Sequence, residues 1–264
     1  MADVRINAMA LQFAVTMDAA RNLETLLRLA DAAPAHTLIV APEGALSGYA
    51  PEPGMVARLD NGATARAIDQ AAAFARARSL HLVVGACVQE AGVWRNRSLY
   101  FGPNGAHAHY DKINLAMSER AQFTPGDALP VFDLDIAGAR VRLGVQMCRE
   151  IRYPEQWRAL AAQGAQIIAY PNNAIASTIG HALWRAHLIS RAAESQRFII
   201  GANNAAPDQT CPTMIVAPRG EAIAEAPIGA TCAITQSLAL SEVSDWVLSQ
   251  AREDVVRVAL AKRD

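Results

Sequence analysis

Two spacings of apolar residues alternate along the chain, and together they predict strands interleaved with helices. Short runs that are continuously apolar, or apolar at every second position, mark the strands. The predicted strands cover residues 6–15, 37–41, 82–88, 93–101, 106–110, 131–136, 139–147, 166–170 and 197–202, with two or three short ones between 213 and 235. A strong turn sequence, GPNG at 102–105, joins two of them into a hairpin.

Helical spacing, with apolar residues three and four positions apart, fills most of the remaining intervals. Asp18 is a potential N-cap for the first helix, and Thr64 is the potential cap of an alanine-rich one. Pro154 suits the first turn of a third helix. The predicted helices cover residues 18–32, 64–79, 154–162, 181–195 and 243–260.

The order of these elements predicts one α/β domain over residues 1–264, because no linker, low-complexity segment or short repeat interrupts it. A single parallel sheet would need more crossover helices than the pattern offers. Two sheets with helices on their outer faces accommodate the many strands. The amphipathic segment 243–264 suits packing on a neighbouring element or on a second subunit. Its apolar positions are Val247, Leu248, Ala251, Val255, Val258 and Ala259.

Composition narrows the possible functions. The 264 residues are 52% hydrophobic and carry a formal net charge of -1, which provides no electrostatic footprint for nucleic acid or an anionic membrane surface. No apolar stretch approaches the ~20 residues that span a bilayer. The first five residues lack the basic and apolar regions of a signal peptide. We therefore expect a cytoplasmic protein.

The four cysteines, Cys87, Cys148, Cys211 and Cys232, form no CxxC pair and no zinc-type cluster with histidine, so no metal site is predicted. In a reducing cytosol we expect them to stay free thiols. Cys87 lies in an apolar strand and is interpreted as an inert core thiol. Cys211 and Cys232 are interpreted as structural.

Cys148 differs from the other cysteines because it ends an apolar strand and opens the polar string CREIRYPE at 148–155. Carboxyl ends of strands are where open α/β sheets place their chemistry. A thiol reacts as the thiolate, and a nearby cation or helix N-terminus lowers its pKa. The helix at Pro154 and the ammonium of Lys112 could supply both. The alternative is a buried cysteine at a strand end.

Glu43 and Lys112 also follow strand-like runs, and each has a plain alternative as a solvated loop residue. A carboxylate beside a thiol can take its proton and later activate water. An enclosed ammonium can stabilise the oxyanion of a tetrahedral intermediate. Glu119, otherwise a capping or surface acid, could hold the lysine and the substrate in place. A thiol, a carboxylate and an ammonium at three strand ends predict a nucleophilic site.

In this order the motifs resemble the nitrilase superfamily of carbon–nitrogen hydrolases. The matching segments are PE at 42–43 with GY at 48–49, YDKINL at 110–115, Glu119 before FTPGD at 123–127, CREIRYPE at 148–155, SRAAESQ at 190–196, GAN at 201–203 and PRG at 218–220. The chain departs from the family at Arg149, where an aromatic residue is common. Asn114 stands in place of a frequent histidine, and Asp111 in place of a common arginine.

The resemblance implies a four-layer α-β-β-α sandwich, often paired into a homodimer or a higher homo-oligomer. It also implies a Glu–Lys–Cys triad, with Glu43 as general base, Lys112 as oxyanion stabiliser and Cys148 as nucleophile. Glu119 matches the supporting glutamate of the family. The expected activity is hydrolysis of a small linear amide to acid and ammonia through a cysteine thioester. Neither a metal nor an organic cofactor is needed.

Other activities stay open at this point. An N-carbamoyl amide hydrolase or a nitrilase would use the same triad. An acyl transferase would pass the thioester to an amine, and an inactive scaffold would keep only the fold. Arg149 and Arg152 could clamp a substrate carboxylate, although Arg152 could instead pair with Glu150, Glu155 or Glu194. The further residues predicted to line the pocket are Tyr49, Asn172, Asn173 and Trp184, the last with core packing as its alternative.

Overall fold

The computed structural model describes residues 4–176, 180–258 and 260, which form twelve strands and five α-helices. The strands are β1 (Arg5–Gln12), β2 (Leu38–Val40), β3 (His81–Glu90), β4 (Val93–Phe101), β5 (His107–Asp111), β6 (Val131–Ile136), β7 (Ala139–Val145), β8 (Ile167–Pro171), β9 (Phe198–Ala202), β10 (Met214–Val216), β11 (Ala222–Glu225) and β12 (Cys232–Ala239). The helices are α1 (Ala19–Ala30), α2 (Asn61–Ala77), α3 (Pro154–Ala162), α4 (His181–Ser195) and α5 (Trp246–Ser249). Short 3₁₀ helices cover Met55–Arg58, Cys148–Arg152 and Leu240–Glu242.

The strands form two six-stranded sheets with the orders β12-β1-β2-β3-β4-β5 and β11-β10-β9-β8-β7-β6. Contacts of β1, β2 and β3 with β8 and β9 bring the sheets face to face. Helices α1 and α2 pack on the first sheet, and α3 and α4 cover the second. The predicted four-layer α-β-β-α sandwich is therefore confirmed. None of the described helices combines the length and apolar character needed to cross a membrane.

Strand β1 shows how the sequence supports burial on both faces of a sheet. Ala8 and Ala10 belong to the apolar cluster between the sheets. Met9 and Leu11 alternate with them and belong to the cluster under α1 and α2. Because successive side chains point to opposite faces of a strand, a nearly continuous apolar run serves both layers.

Two helix starts test the capping predictions. The Asp18 carboxylate accepts hydrogen bonds from the backbone N–H groups of Ala20 and Arg21 at 3.0 and 3.1 Å, as predicted for α1. The prediction for α2 was wrong by about one turn. Its cap is Asp60, which accepts from the N–H of Ala63 at 2.8 Å, whereas Thr64 is buried inside the first turns.

The predicted helix over 243–260 was also wrong in extent. Only Trp246–Ser249 is α-helical, and the chain beyond it forms turns as far as the structure describes it. An amphipathic pattern alone does not stabilise a helix, since nucleation is unfavourable unless an apolar face is packed. Val255 and Val256 are 69% and 72% exposed, so no such packing occurs here. Ala259 and residues 261–264 lie outside the described residues.

Strand directions bring two pairs of strand ends together. Strand β2 is parallel to β3, and β4 is antiparallel to both β3 and β5, so β2 and β5 end at the same edge of the first sheet. Strands β7 and β8 are parallel and share an edge of the second sheet. Across the gap, Glu43 N–H donates to Asn172 O, and Asn173 Nδ2 donates to Glu43 O, both at 3.3 Å.

Two glycines allow the close backbone approaches that this edge requires. A Cβ on Gly85 would lie 2.5 Å from the Cα of Glu43, and one on Gly126 would lie 2.0 Å from the carbonyl oxygen of Asp111. Both distances are far below van der Waals contact, so any side chain would displace the turns that carry Glu43 and Lys112.

Candidate active site

Three of the predicted site residues meet in one buried cluster at the edge of the first sheet. Lys112 Nζ lies 2.8 Å from Glu43 Oε1 and 3.0 Å from Glu119 Oε1. The side chains of Lys112 and Glu43 are 0% exposed, and that of Glu119 is 2% exposed. Burying charged groups is tolerable only when they are paired and hydrogen-bonded. The structure therefore brings these three residues together as predicted.

Asn96, on β4, completes this cluster and was missed by the sequence analysis. Its Nδ2 donates to Glu43 Oε1 and to Glu119 Oε1, both at 2.7 Å. Asn96 and Ser98 occupy inward positions of β4, and both are buried. Polar residues at two successive inward positions were the available signal, because a buried carboxamide needs partners.

Burial and the neighbouring charges shift the pKa values of Glu43 and Glu119 in opposite directions. Burial raises the pKa of Glu43 above its ordinary value, and the nearby Glu119 adds to this increase, although Lys112 opposes it. Burial acts on Glu119 in the same direction. There Lys112, the N–H of Ala116 and the Tyr49 hydroxyl outweigh it and lower the pKa. The two buried acids therefore differ: the pKa of Glu43 is raised and that of Glu119 is lowered.

The two acids also hold Lys112 as an ammonium. Burial alone would lower its pKa, but Glu119 and Glu43 raise it well above the ordinary value. One carboxylate oxygen, Glu43 Oε2, is buried and has no hydrogen-bond partner within the described chain. An acceptor left free beside a fixed ammonium is suited to receive a proton.

Cys148 stands across from this cluster and begins a 3₁₀ helix with a φ of 41°. A positive φ is rare for residues other than glycine and marks a constrained position. The residue is partly accessible to solvent. Tyr170 OH donates to its carbonyl oxygen, and the backbone N–H of Asn173 lies within hydrogen-bonding reach of its sulfur.

The expected low pKa of Cys148 was wrong in direction. Burial of the thiol and the charges of Glu43 and Glu119 raise its pKa, and the opposing effect of Lys112 is smaller. Moreover, α3 begins only at Pro154, beyond the intervening 3₁₀ helix. The resting thiol is therefore protonated at neutral pH, and it needs a base at the moment of attack.

Glu150, also missed as a functional residue, links the segments that carry Lys112 and Cys148. Its Oε1 accepts from Tyr110 OH at 2.7 Å, Ile113 N at 2.9 Å and Asn114 N at 3.0 Å. Its Oε2 accepts from Met147 N at 2.8 Å. A fully buried acid with four donors is a brace. The signal was an acid two residues after the candidate nucleophile.

Two of the predicted pocket residues, Tyr49 and Asn173, form hydrogen bonds with the residues around the buried cluster. Tyr49 OH donates to Glu119 Oε1 at 2.9 Å. Asn173 donates to Glu43 O and accepts from Asn204 Nδ2 at 3.0 Å. Their polar atoms position the catalytic cluster, although both residues border the same edge.

Three other predicted pocket residues keep buried polar atoms without partners in the described chain: Arg149 Nε, both side-chain atoms of Asn172, and Trp184 Nε1. Trp184 also packs in the core between the second sheet and α4, so its packing alternative holds as well. Arg152 is exposed, and no ion pair joins it to the described acids, so the predicted pairing with Glu150, Glu155 or Glu194 is not formed.

Among the described residues, no group of three or more His, Cys, Asp or Glu side chains is arranged to hold a metal ion. The arrangement that is present consists of an acceptor, an ammonium and a thiol. Such a set can activate a thiol, stabilise an oxyanion and move a proton.

Comparison with known proteins agrees with this chemistry. The carbon-nitrogen hydrolase family profile matches residues 5–247. An (R)-stereoselective amidase from Pseudomonas sp. is 33% identical over 189 residues, which make up 70% of this chain and 66% of that protein. A human omega-amidase is 30% identical over 206 residues, 70% of this chain and 72% of that protein.

Among solved structures, an amidase from Nesterenkonia sp. superposes with a TM-score of 0.80. The match covers 97% of both chains at 23% sequence identity. At this identity the likeness supports the fold.

Proposed function

Since the chain belongs to the carbon–nitrogen hydrolase family, we propose that it is an amidase that converts a small linear amide to acid and ammonia through a thioester on Cys148. The observation that carries this proposal is the buried contact of Lys112 with Glu43 and Glu119, set beside the constrained thiol. The amidase names of two relatives favour an amide substrate over a nitrile.

In the first step, Cys148 Sγ attacks the amide carbon, while Glu43 Oε2 takes the thiol proton. The protonated resting thiol and the free, buried acceptor support this role for Glu43. Its raised pKa places the carboxyl nearer to that of the group it must deprotonate, which favours proton transfer.

The attack moves negative charge to the amide oxygen. Lys112, held as an ammonium, stabilises this oxyanion together with the backbone N–H of Arg149. Glu43 then gives its proton to the leaving nitrogen, the C–N bond breaks, and ammonia departs.

The thioester is hydrolysed by the reverse use of the same groups. Glu43 accepts a proton from water, whose oxygen attacks the acyl carbon, and the C–S bond breaks as the proton returns to sulfur. Every step uses side chains, the backbone and water. Glu119, Asn96 and Tyr49 are positioning residues, since they hold Glu43 and Lys112 in place.

The test is ammonia release from short amides, ω-amides, N-carbamoyl compounds and nitriles. Cys148→Ala should lower turnover by more than about a thousandfold, because the nucleophile is lost. Cys232→Ala, which removes a partly buried thiol far along the chain, is the matched control and should retain activity. Unchanged amide hydrolysis by Cys148→Ala would exclude the thioester. Release confined to nitriles or carbamoyl compounds would reassign the substrate.

We place the protein in the cytosol as a homodimer or higher homo-oligomer. Four free thiols suit a reducing compartment. Trp246 is 62% exposed, and the apolar residues that follow it provide a contact surface for a second copy. Truncation after Glu242 should lower the sedimentation coefficient to that of a monomer. A truncated protein that still sediments as a dimer would contradict this contact.

A further inference from the structure

The backbone of the 3₁₀ helix Cys148–Arg152 is hydrogen-bonded by side chains from three other elements. The donors are Tyr170 OH on β8, Trp157 Nε1 on α3 and Arg191 Nε on α4, and they bind the carbonyl oxygens of residues 148, 150 and 151, respectively. The rings of Tyr170 and Trp157 are neighbours, with centroids 5.5 Å apart. Of the three carbonyls, only that of residue 148 belongs to the peptide that joins the nucleophile to the next residue.

The peptide groups on both sides of Cys148 are held in place. Before it, Met147 O accepts a hydrogen bond from Glu150 N at 2.9 Å. After it, the carbonyl oxygen of Cys148 accepts from Tyr170 OH. The φ of 41° at Cys148 is unfavourable for a residue with a side chain, so it persists only where the surroundings restrain the backbone. The N–H of Asn173, just after β8, also lies within hydrogen-bonding reach of the sulfur.

The orientation of the Cys148 carbonyl sets the direction of the next N–H group. The peptide between Cys148 and Arg149 is trans. In a planar trans peptide the C=O and N–H bonds point in opposite directions, so a donor that holds the oxygen also aims the N–H. Arg149 is the second residue of the 3₁₀ helix, and its N–H therefore has no acceptor within that helix. Donation from Tyr170 OH also polarises the peptide and strengthens this N–H as a donor.

The hydroxyl of Tyr170 serves as a donor rather than as an acid. Its side chain is fully buried. Burial raises the pKa of Tyr170 well above its ordinary value, so the hydroxyl keeps its proton in neutral solution and continues to donate it to the Cys148 carbonyl oxygen. Any effect of this hydroxyl on the reaction is therefore geometric and electrostatic.

We propose that Tyr170 is a positioning residue, which keeps the N–H of Arg149 aimed at the oxyanion that forms on the substrate carbonyl. This inference rests on the amidase function proposed above. The N–H and Lys112 share the negative charge of the tetrahedral intermediate. The amide oxygen of the bound substrate carries less charge, so the aimed N–H stabilises the transition state more than the ground state. Loss of the hydroxyl should lower kcat more than it raises KM.

The test begins with Tyr170→Phe, which keeps the packed ring and removes only the hydroxyl. For the amide that the wild-type protein hydrolyses fastest, kcat should fall by about 10- to 100-fold, less than for loss of a whole oxyanion donor. KM should stay within about threefold, because ground-state binding uses little of this interaction. The shape of the pH–rate profile should not change, since no titrating group is removed.

Trp157→Phe is the matched control. It also removes one side-chain donor to the same 3₁₀ helix and disturbs the same ring pair, but the peptide that it releases follows Glu150 and carries no N–H proposed to bind the oxyanion. The two variants should lower the urea midpoint to a similar extent. In Trp157→Phe, kcat should remain within about threefold of wild type.

Two small reagents separate the oxyanion contact from the reactivity of the thiol. Butyraldehyde adds reversibly to Cys148: a C–S bond forms, and the thiol proton passes to the former carbonyl oxygen, which takes the place of the oxyanion. Methyl methanethiosulfonate transfers its methylthio group to the sulfur and releases methanesulfinate, so no such oxygen forms. Mass spectrometry of the peptide that contains Cys148 measures this second reaction, and protection against it gives the Kd of butyraldehyde.

Tyr170→Phe should raise the Kd of butyraldehyde by about 10-fold or more, because the adduct loses its aimed donor. The rate of methylthiolation should stay within about twofold of wild type. Trp157→Phe should change neither quantity by more than about threefold.

The outcomes separate this inference from the amidase proposal. Equal losses of kcat in the two phenylalanine variants would show that packing of the helix is responsible, and would overturn the inference. A methylthiolation rate that falls as far as kcat would place the effect on the thiol instead, and an unchanged kcat and Kd would leave Tyr170 without a role. Absence of ammonia release from every amide would refute the amidase itself. The butyraldehyde measurement would then still decide whether Tyr170 aims the N–H of Arg149.

Discussion

The two sheet edges that form the candidate active site differ in how completely their polar groups are hydrogen-bonded. At the edge of the first sheet, Lys112, Glu119 and Asn96 hold one another in a closed network that leaves a single carboxylate oxygen of Glu43 free. At the edge of the second sheet, the residues around Cys148 keep several buried donors unpaired. The first edge thus has nearly all its polar groups paired, whereas the second keeps several donors without a partner in the described chain.

This contrast separates chemistry from substrate choice. The groups that move protons and stabilise charge need fixed positions and pKa values, so they are over-determined by neighbours. The groups that recognise the rest of the substrate must stay available. Substitutions on the first edge should therefore reduce turnover of every amide, whereas substitutions of the unpaired donors on the second should change which amides are used.

The strongest way to break the closed network is Lys112→Met, which keeps the length of the side chain and removes its charge. It leaves two buried carboxylates without a cation, which should cost about 3–5 kcal/mol of stability. Turnover should fall by at least about 10²- to 10³-fold, since the oxyanion loses its donor. Steady-state kinetics and urea titration measure the two effects.

The pH dependence of that variant has a definite sign. Without Lys112, the pKa values of both acids rise in the folded state, so the variant binds more protons folded than unfolded. Its stability should then fall as the pH rises from the ordinary pKa of a carboxyl group through the raised pKa values of the two acids. A variant as stable as wild type at neutral pH would show that the ammonium does not hold the network together.

Asn96→Ala is the next largest perturbation of the same network. It removes the donor shared by Glu43 and Glu119, which should cost about 1–3 kcal/mol and lower kcat for anionic and neutral amides alike. Ser98→Ala is the matched control. It lies on the same face of β4, and its buried hydroxyl has no partner within the described chain. Equal losses from both variants would point to packing of the strand instead.

The mildest perturbation is Glu150→Gln, in the brace between the two edges. The amide keeps one acceptor oxygen but turns an N–H₂ group toward a backbone donor, so kcat should fall several-fold. Glu155→Gln, an exposed acid in the same segment, should have no effect. Kinetics on one anionic and one neutral amide would show whether the brace serves both edges.

Glu150 also gives the brace a pH signature. Burial raises the pKa of Glu150 from 4.5 to about 7, although Asn114, Tyr110 and Met147 donate hydrogen bonds to it. The folded protein therefore holds this proton more tightly than the unfolded chain, and the stability it contributes below pH 4.5 is lost as the pH rises to about 7. Glu150→Gln lacks this titration. A free energy of unfolding that falls equally in both proteins across this range would contradict the assignment.

The sequence predicts the residues at the edge of the first sheet better than those at the edge of the second sheet. Glu43, Lys112 and Glu119 carry short motifs in a fixed order, and the alternation of strands and helices places Glu43 and Lys112 at strand ends. Asn96 belongs to no such motif. Its role follows from its position on the inward face of β4 and from its contacts with Glu43 and Glu119, which are distant in sequence. Pattern analysis along the sequence registers neither of these features.

Two wrong predictions have the same physical origin. The pKa of Cys148 follows from burial and from the carboxylates of Glu43 and Glu119, which lie 105 and 29 residues earlier in the chain. Local sequence does not reveal that these effects dominate. The segment after Glu242 has a helical pattern, yet only Trp246–Ser249 forms a helix. In both cases tertiary surroundings decide the result.

The hydrogen bonds from Glu43 N to Asn172 O and from Asn173 Nδ2 to Glu43 O join a turn of one sheet to the strand end of the other. Glu43 and Cys148, the proposed base and nucleophile, therefore lie on separate sheets whose edges are joined by these contacts. A slip of one layer by the length of a single such bond would leave every helix and strand intact and the enzyme silent. Turnover is thus more sensitive to the alignment of the two sheets than any spectroscopic measure of secondary structure. Mild denaturant should therefore abolish turnover before it changes the secondary structure.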